Sequence, residues 1–197
     1  MSEHKGYKIK DQYQTYFVTL TIVGWVDLFT RFECRNILIE SMSYCQSNKG
    51  LSIHAYVIMG SHIHLIITAH EHTDGLSSII RDFKKHTSKQ IINWIEKDKK
   101  ESRSDWLKVI FKYHAKHNKN NTTYQVWQQN NQPKACLHPK FTNQKIFYIH
   151  NNPVLSKIVD KPEDYIYSSA KNYLGHNDCI LEVDIIDFGI EEGYVLT

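Results

Sequence analysis

The chain has 197 residues, 41% of them hydrophobic and 23% charged, the composition of an ordinary soluble globular protein and enough length for one domain with a sizeable core. No apolar run approaches the ~20 residues of a membrane span, Met1–Gly6 lack the apolar core of a signal peptide, and neither G-x-x-x-x-G-K-[ST] nor G-x-G-x-x-G occurs. Net charge is +3 but uneven: residues 176–197 hold six acids (Asp178, Glu182, Asp184, Asp187, Glu191, Glu192) and no Lys or Arg, leaving 24 basic against 15 acidic groups in residues 1–175.

A basic body favours a polyanionic partner, although a solvated surface with an acidic tail explains the same numbers. The asymmetry divides the chain into one domain over residues 1–175 and an acidic C-terminal extension over 176–197. Cys34, Cys45, Cys136 and Cys179 are scattered without C-x-x-C spacing, which argues against a zinc ribbon and for a reduced, cytoplasmic protein.

Tyr16–Val23 alternates β-forming residues and predicts a strand. Thr30-Arg31-Phe32-Glu33 has the form of a capping box, and Ile37, Leu38, Met42 and Cys45 follow at helical spacing. That helix should end at Asn48–Gly50, with Gly50 left-handed. Leu51–Met59 and His62–Thr68 read as a hairpin about Gly60-Ser61. Thr73-Asp74 should cap a long helix with the apolar stripe Leu76, Ile79, Ile80, Phe83, Thr87, Ile91, Trp94 and Ile95, and with Arg81, Lys84, Lys85 and Lys89 on its other side.

Lys97–Asn121 is polar and Lys-rich around one amphipathic piece, Trp106–Lys116. Tyr124–Gln128 is a further candidate strand. Phe141–Asn151 predicts a short helix stopped by Pro153, because a residue before proline avoids helical angles. The element order suits an α+β sandwich, an antiparallel sheet with helices on one face.

Chemistry concentrates at His62-Ile63-His64. Side chains alternate along a strand, so the two imidazoles share one face while Ile63, Leu65 and Ile67 point into a core. Such a pair can grip a divalent metal ion; hydrogen-bonded core histidines are the rival reading. His70-Glu71-His72 is a second such triplet, but its polar flanks read as loop. His114 and His117 sit among lysines on a solvated helical face. Further on, Tyr148 and Asn152 lie at i and i+4, so a phenol and an amide oxygen can address one spot; a core tyrosine with a tethered hydroxyl is the plainer alternative.

Tyr56–Met59 with His62-Ile63-His64, then Tyr148-Ile149-His150-Asn151-Asn152-Pro153-Val154, then Pro162-Glu163-Asp164-Tyr165-Ile166-Tyr167-Ser168-Ser169-Ala170, together resemble the single-tyrosine HUH transposases (insertion-sequence-200-like), nearest to their REP-associated tyrosine transposase branch. The resemblance spans roughly Gln12 to Gly175 and departs at Gly60-Ser61, where many relatives carry Pro-Asn. It implies a ferredoxin-like fold, metal ligands at His62, His64 and Asn152, a nucleophile at Tyr148, and Mg²⁺ or Mn²⁺ as the ion. The implied reaction is cleavage and rejoining of single-stranded or hairpin DNA through a 5′-phosphotyrosine link, without a nucleotide cofactor or a membrane, by a monomer or homodimer. Arg81, Lys84, Lys85 and Lys89, with Lys108, Lys112 and Lys116 near Trp106 and Tyr113, are the candidate DNA contacts. The rival functions are a rolling-circle-type nickase and a non-catalytic, transposase-derived DNA-binding protein.

Overall fold

Three runs of β-branched and aromatic residues build the centre of the molecule: β1 (Tyr16–Thr21), β2 (Leu51–Ile58) and β3 (His62–Ala69). They were traced in a computed structural model that describes residues 8–97, 101–116, 123–129 and 131–186. Between them stand α1 (Phe32–Lys49) and, after β3, α2 (Leu76–Lys97). α3 (Ser104–Lys116), the two-residue β4 (Lys134–Ala135), α4 (Pro139–Leu155) and the short α5 (Ala170–Tyr173) complete the order. The four strands form one antiparallel sheet in the order β2-β3-β1-β4. Because β3 lies between β1 and β2, the β1–α1–β2 unit is a split crossover, as in ferredoxin-like sandwiches. The α+β sandwich expected from the sequence is therefore the observed fold.

Alternation decides what each face carries. Trp127 bridges Ile22 at the end of β1 and packs against Phe83 of α2, with its indole N–H donating to Thr87 Oγ1 at 2.9 Å. The Val18–Leu20–Ile22 face is thus the one covered by α2, which in turn packs against α1. Phe17, Thr19 and His64 lie on the opposite face, where Tyr148 of α4 meets Phe17 and His64. Two helices seal one face, and α4 crosses the other.

α2 buries Leu76, Ile79, Ile80, Phe83, Thr87, Ile91 and Ile95, the predicted stripe except for Trp94, which is only partly covered. Gly50 is left-handed at φ 60°, ending α1 as expected. Four local expectations are corrected. Thr30 does not cap α1: its hydroxyl bonds the Asp27 carbonyl, and Arg31 occupies the cap position without a side-chain capping bond, its guanidinium donating to Glu101 instead. The cap of α2 comes from far away, since Gln12 Oε1 accepts the Ser77 N–H at 2.9 Å while Thr73 Oγ1 reaches only the Gly75 N–H. Tyr124–Gln128 makes a single bridge, and Lys134–Ala135 is the strand that pairs with Tyr16 and Phe17. α4 starts at Pro139 and runs through Pro153 to Leu155. Proline at the first helical position loses nothing, since that N–H has no helical partner. Pro153 sits in the last turn, where one bond is forgone and its ring is buried.

The acidic segment is described as far as residue 186; Asp187, Glu191 and Glu192 lie outside the described residues, as do His117 and the end of the Lys97–Asn121 stretch. Residues 176–186 run beside the outer edge of β2. The Asp184 N–H donates to Ile53 O at 2.9 Å, His54 Nδ1 is 2.8 Å from Asp184 O, and Leu181 is buried. This contact covers the edge of β2 at Ile53–His54, while Tyr167–Ser169 cover it at Tyr56–Ile58.

Gly50→Ala should lower stability by more than the ~1–2 kcal/mol of a left-handed alanine, because the added Cβ would stand 2.6 Å from Thr73 Cγ2. Urea unfolding would show a reduced midpoint with an unchanged slope.

Candidate active site

The antiparallel register sets Thr19 opposite His64 and Thr21 opposite His62. Thr19 Oγ1 is 2.8 Å from His64 Nδ1, and Ser61 Oγ is 3.2 Å from His62 Nδ1. A hydroxyl on each Nδ1 leaves the Nε2 of each ring for another partner. The two rings are neighbours, with centroids 4.8 Å apart. Phe17 stacks on His64 at 5.4 Å and 21°, and Trp25 meets His62 edge to face at 5.8 Å.

α4 brings Tyr148 to this pair. Its hydroxyl lies 3.4 Å from His64 Nε2, and the rings meet at 5.2 Å. His64 is only 5% exposed, whereas Tyr148 is 38% exposed, so the phenol is reachable from solvent. Burial first, then His62 and Lys145, pushes the His64 imidazolium down to about 3, and burial lowers His62 as well. Both rings are therefore neutral near pH 7, with lone pairs available to a metal ion. Asn152 follows Tyr148 by one turn on α4, half-buried. Among the described residues no three His, Cys, Asp or Glu side chains are grouped to hold a metal. Two imidazole nitrogens completed by oxygen ligands would suit Mn²⁺ or Mg²⁺ better than a structural zinc.

Three contributors were not singled out from the sequence. Thr19 was one residue of a strand, with nothing local to mark it. Lys145 sits one turn before Tyr148, its Nζ 5.4 Å from the Tyr148 ring centre and 5.2 Å from that of Phe17; its i, i+3 spacing from Tyr148 was the available signal. Ser169 bonds His150 Nε2 at 2.9 Å and accepts the Tyr56 N–H at 2.9 Å, fastening α4 to β2 two residues beyond Tyr148.

The basic residues stand elsewhere. Arg81, Lys84, Lys85 and Lys89 line a groove of about 1080 Å³ between α2 and residues 123–131, on the sheet face opposite Tyr148. Lys84 is engaged there: it donates to Gln128 O and, at 2.8 Å, to Asn131 Oδ1, and burial lowers it to about 8. Arg81 pairs with Asp82. On α3, Lys112 lies over the Tyr124 ring at 5.6 Å, Lys116 is exposed, and Lys108 pairs with Asp105. His70 bonds Ser52 in an exposed loop, away from the pair.

Residues 26–128 match the family described as transposase IS200 like. That span contains both histidines and ends before α4. The fold is similar to a solved structure of a REP-associated tyrosine transposase bound to a REP hairpin, at 23% identity, TM-score 0.57 and 99% coverage of each chain. No curated protein matches.

Burial also pushes the His150 imidazolium down to about 3. Below about pH 6.5, an unfolded histidine takes a proton that the folded one refuses, so stability should fall as pH drops from 6.5 towards 3. Thermal melts across that range should show the decline, and His150→Gln should remove part of the slope.

Proposed function

The chain belongs to the IS200-like transposase family, and on that premise we propose that it cleaves and rejoins single-stranded DNA with Tyr148 as nucleophile. The 3.4 Å approach of the Tyr148 hydroxyl to His64, beside a second imidazole, carries this reading. A divalent cation held by His62 and His64, with oxygens from Asn152 and the substrate, would polarise the scissile phosphate.

The chain's own residues do the rest. Tyr148 forms the new O–P bond as the bond to the 3′ oxygen breaks, leaving a 5′-phosphotyrosine and a free 3′-hydroxyl. The link keeps the phosphodiester's energy, so attack by another 3′-hydroxyl restores a strand. His64, tied at Nδ1 by Thr19, offers its Nε2 to the cation. With that nitrogen given to the cation, His64 has no lone pair left for the phenol, so it places the cation beside the Tyr148 hydroxyl and does not act as its base. Lys145 presents positive charge beside the ring that attacks. In this reading Tyr148 acts in cis, supported by its reach to His64 within one chain.

DNA hairpins are the proposed substrate, supported by the hairpin bound in the similar structure. Lys85, Lys89, Arg81, Lys112 and Lys116 would hold phosphates away from the reacting one, with Lys84 shaping the groove. The domain over residues 1–175 is the reacting unit in this reading, and the acidic extension serves as a cover for the β2 edge.

Incubation with Mn²⁺ and labelled single-stranded hairpins from the gene's flanks should give a covalent adduct on a denaturing gel, absent from Tyr148→Phe. An adduct that persists in Tyr148→Phe moves the nucleophile elsewhere; DNA binding without any adduct contradicts the cleavage reading. Lys145→Gln should slow adduct formation by about tenfold or more, as loss of one charge at a developing phosphate centre does.

A further inference from the structure

Trp25 is 64% exposed, more than any other aromatic side chain among the described residues. A tryptophan is among the most expensive residues to leave in water. The segment is anchored without it: Val23 and Val26, two residues before and one after in sequence, are buried. The backbone is also forced, since Trp25 has φ 55° directly after Gly24 at φ 64°. A bulky residue in the left-handed region is strained, and such strain gathers at functional sites. The turn is held from both sides, by the Trp25 N–H donating to Ile22 O at 3.1 Å and by α3 packing beneath it. It delivers the indole to the edge of His62, 5.8 Å between ring centres.

We propose that Trp25 is a stacking platform for an unpaired DNA base beside the scissile phosphate. Nucleotides repeat about every 3.4 Å along a stacked strand. A ring 5.8 Å from His62 is therefore within one or two nucleotides of a phosphate held at the histidine pair. Every base has a π-face, so the contact favours single strands over duplex, whose bases are already stacked, and it is tolerant of sequence. It rests on the tyrosine-nucleophile reading for the location of the scissile phosphate. It adds what that reading lacks, which is how the strand is kept unpaired and in register where it is cut.

The test uses the full chain and a fluorescein-labelled strand that carries a hairpin from the gene's flanks. Each nucleotide next to the cleavage point is replaced in turn by an abasic residue. Trp25→Ala should weaken binding roughly 5- to 150-fold, the equivalent of ~1–3 kcal/mol for one base stacked on an aromatic ring, and Trp25→Phe should recover most of it. In the wild type, one abasic position should give a similar loss, and that position should cause no further loss in Trp25→Ala. Trp25→Gly controls for folding: glycine accepts the left-handed backbone, so its Tm should not fall while its affinity does. Wild-type affinity in Trp25→Ala, or an abasic profile unaltered by it, overturns the platform while leaving Tyr148 in place. A wild type that neither binds the strand nor forms the adduct overturns both.

Discussion

The site depends on the register of β1 against β3. Thr19 stands opposite His64 because the ladder pairs Tyr16 with Ile67 and runs without a slip to Thr21 and His62. A slip of one residue would turn every side chain of one strand to the other face. Ile63, Leu65 and Ile67 prevent it, since all three are buried beneath α2 and its neighbours and would otherwise be carried to the face that α4 crosses. Apolar burial of Ile63, Leu65 and Ile67 on one face of β3 thus sends His62 and His64 to the other, where Ile66 and Phe17 are buried beside them. The core contributes to function by leaving His62 and His64 a single direction in which to point.

α4 converts that placement into a site. The His150–Ser169–Tyr56 connection ties the helix to β2 through groups that are all buried, where an unmatched hydrogen-bonding atom costs about 1–3 kcal/mol. Such a tie limits how α4 can slide or roll, and Tyr148 sits two residues from it. The Pro162–Ala170 element closes the same joint, with the Tyr165 hydroxyl donating to Ile58 O at 2.6 Å. The proposed role of Tyr148 would use both the rigidity beneath it and the exposure of its hydroxyl, because geometry must be kept while substrate enters.

Local pattern made the hairpin, α2 and the histidine face legible from the sequence, since each is a periodic apolar signal with one dominant partner surface. What escaped is non-local. Gln12 caps a helix whose first bond lies 65 positions away, and Thr19 meets His64 across 45. The cation of Lys84 looked free on a helical wheel, yet it is bound by a loop at Gln128 and Asn131. Tyr124–Gln128 had strand-like residues, but its bonds to β1 stop after one bridge because Trp127 turns into the α2 interface. Trp25 was unremarked for the same reason: nothing in residues 23–26 says that two valines will be buried and the indole left outside.

In the proposed mechanism His62 and His64, each with a hydroxyl at Nδ1, would present two nitrogens to one divalent cation beside Tyr148. Calorimetric titration of Mn²⁺ into the wild type, His64→Ala and Thr19→Val tests it directly. The wild type should show one site, His64→Ala should lose it, and Thr19→Val should bind about 10-fold or more weakly, the usual consequence of removing a group that orients a metal-bound histidine. Equal Mn²⁺ binding by the wild type and His64→Ala would contradict it.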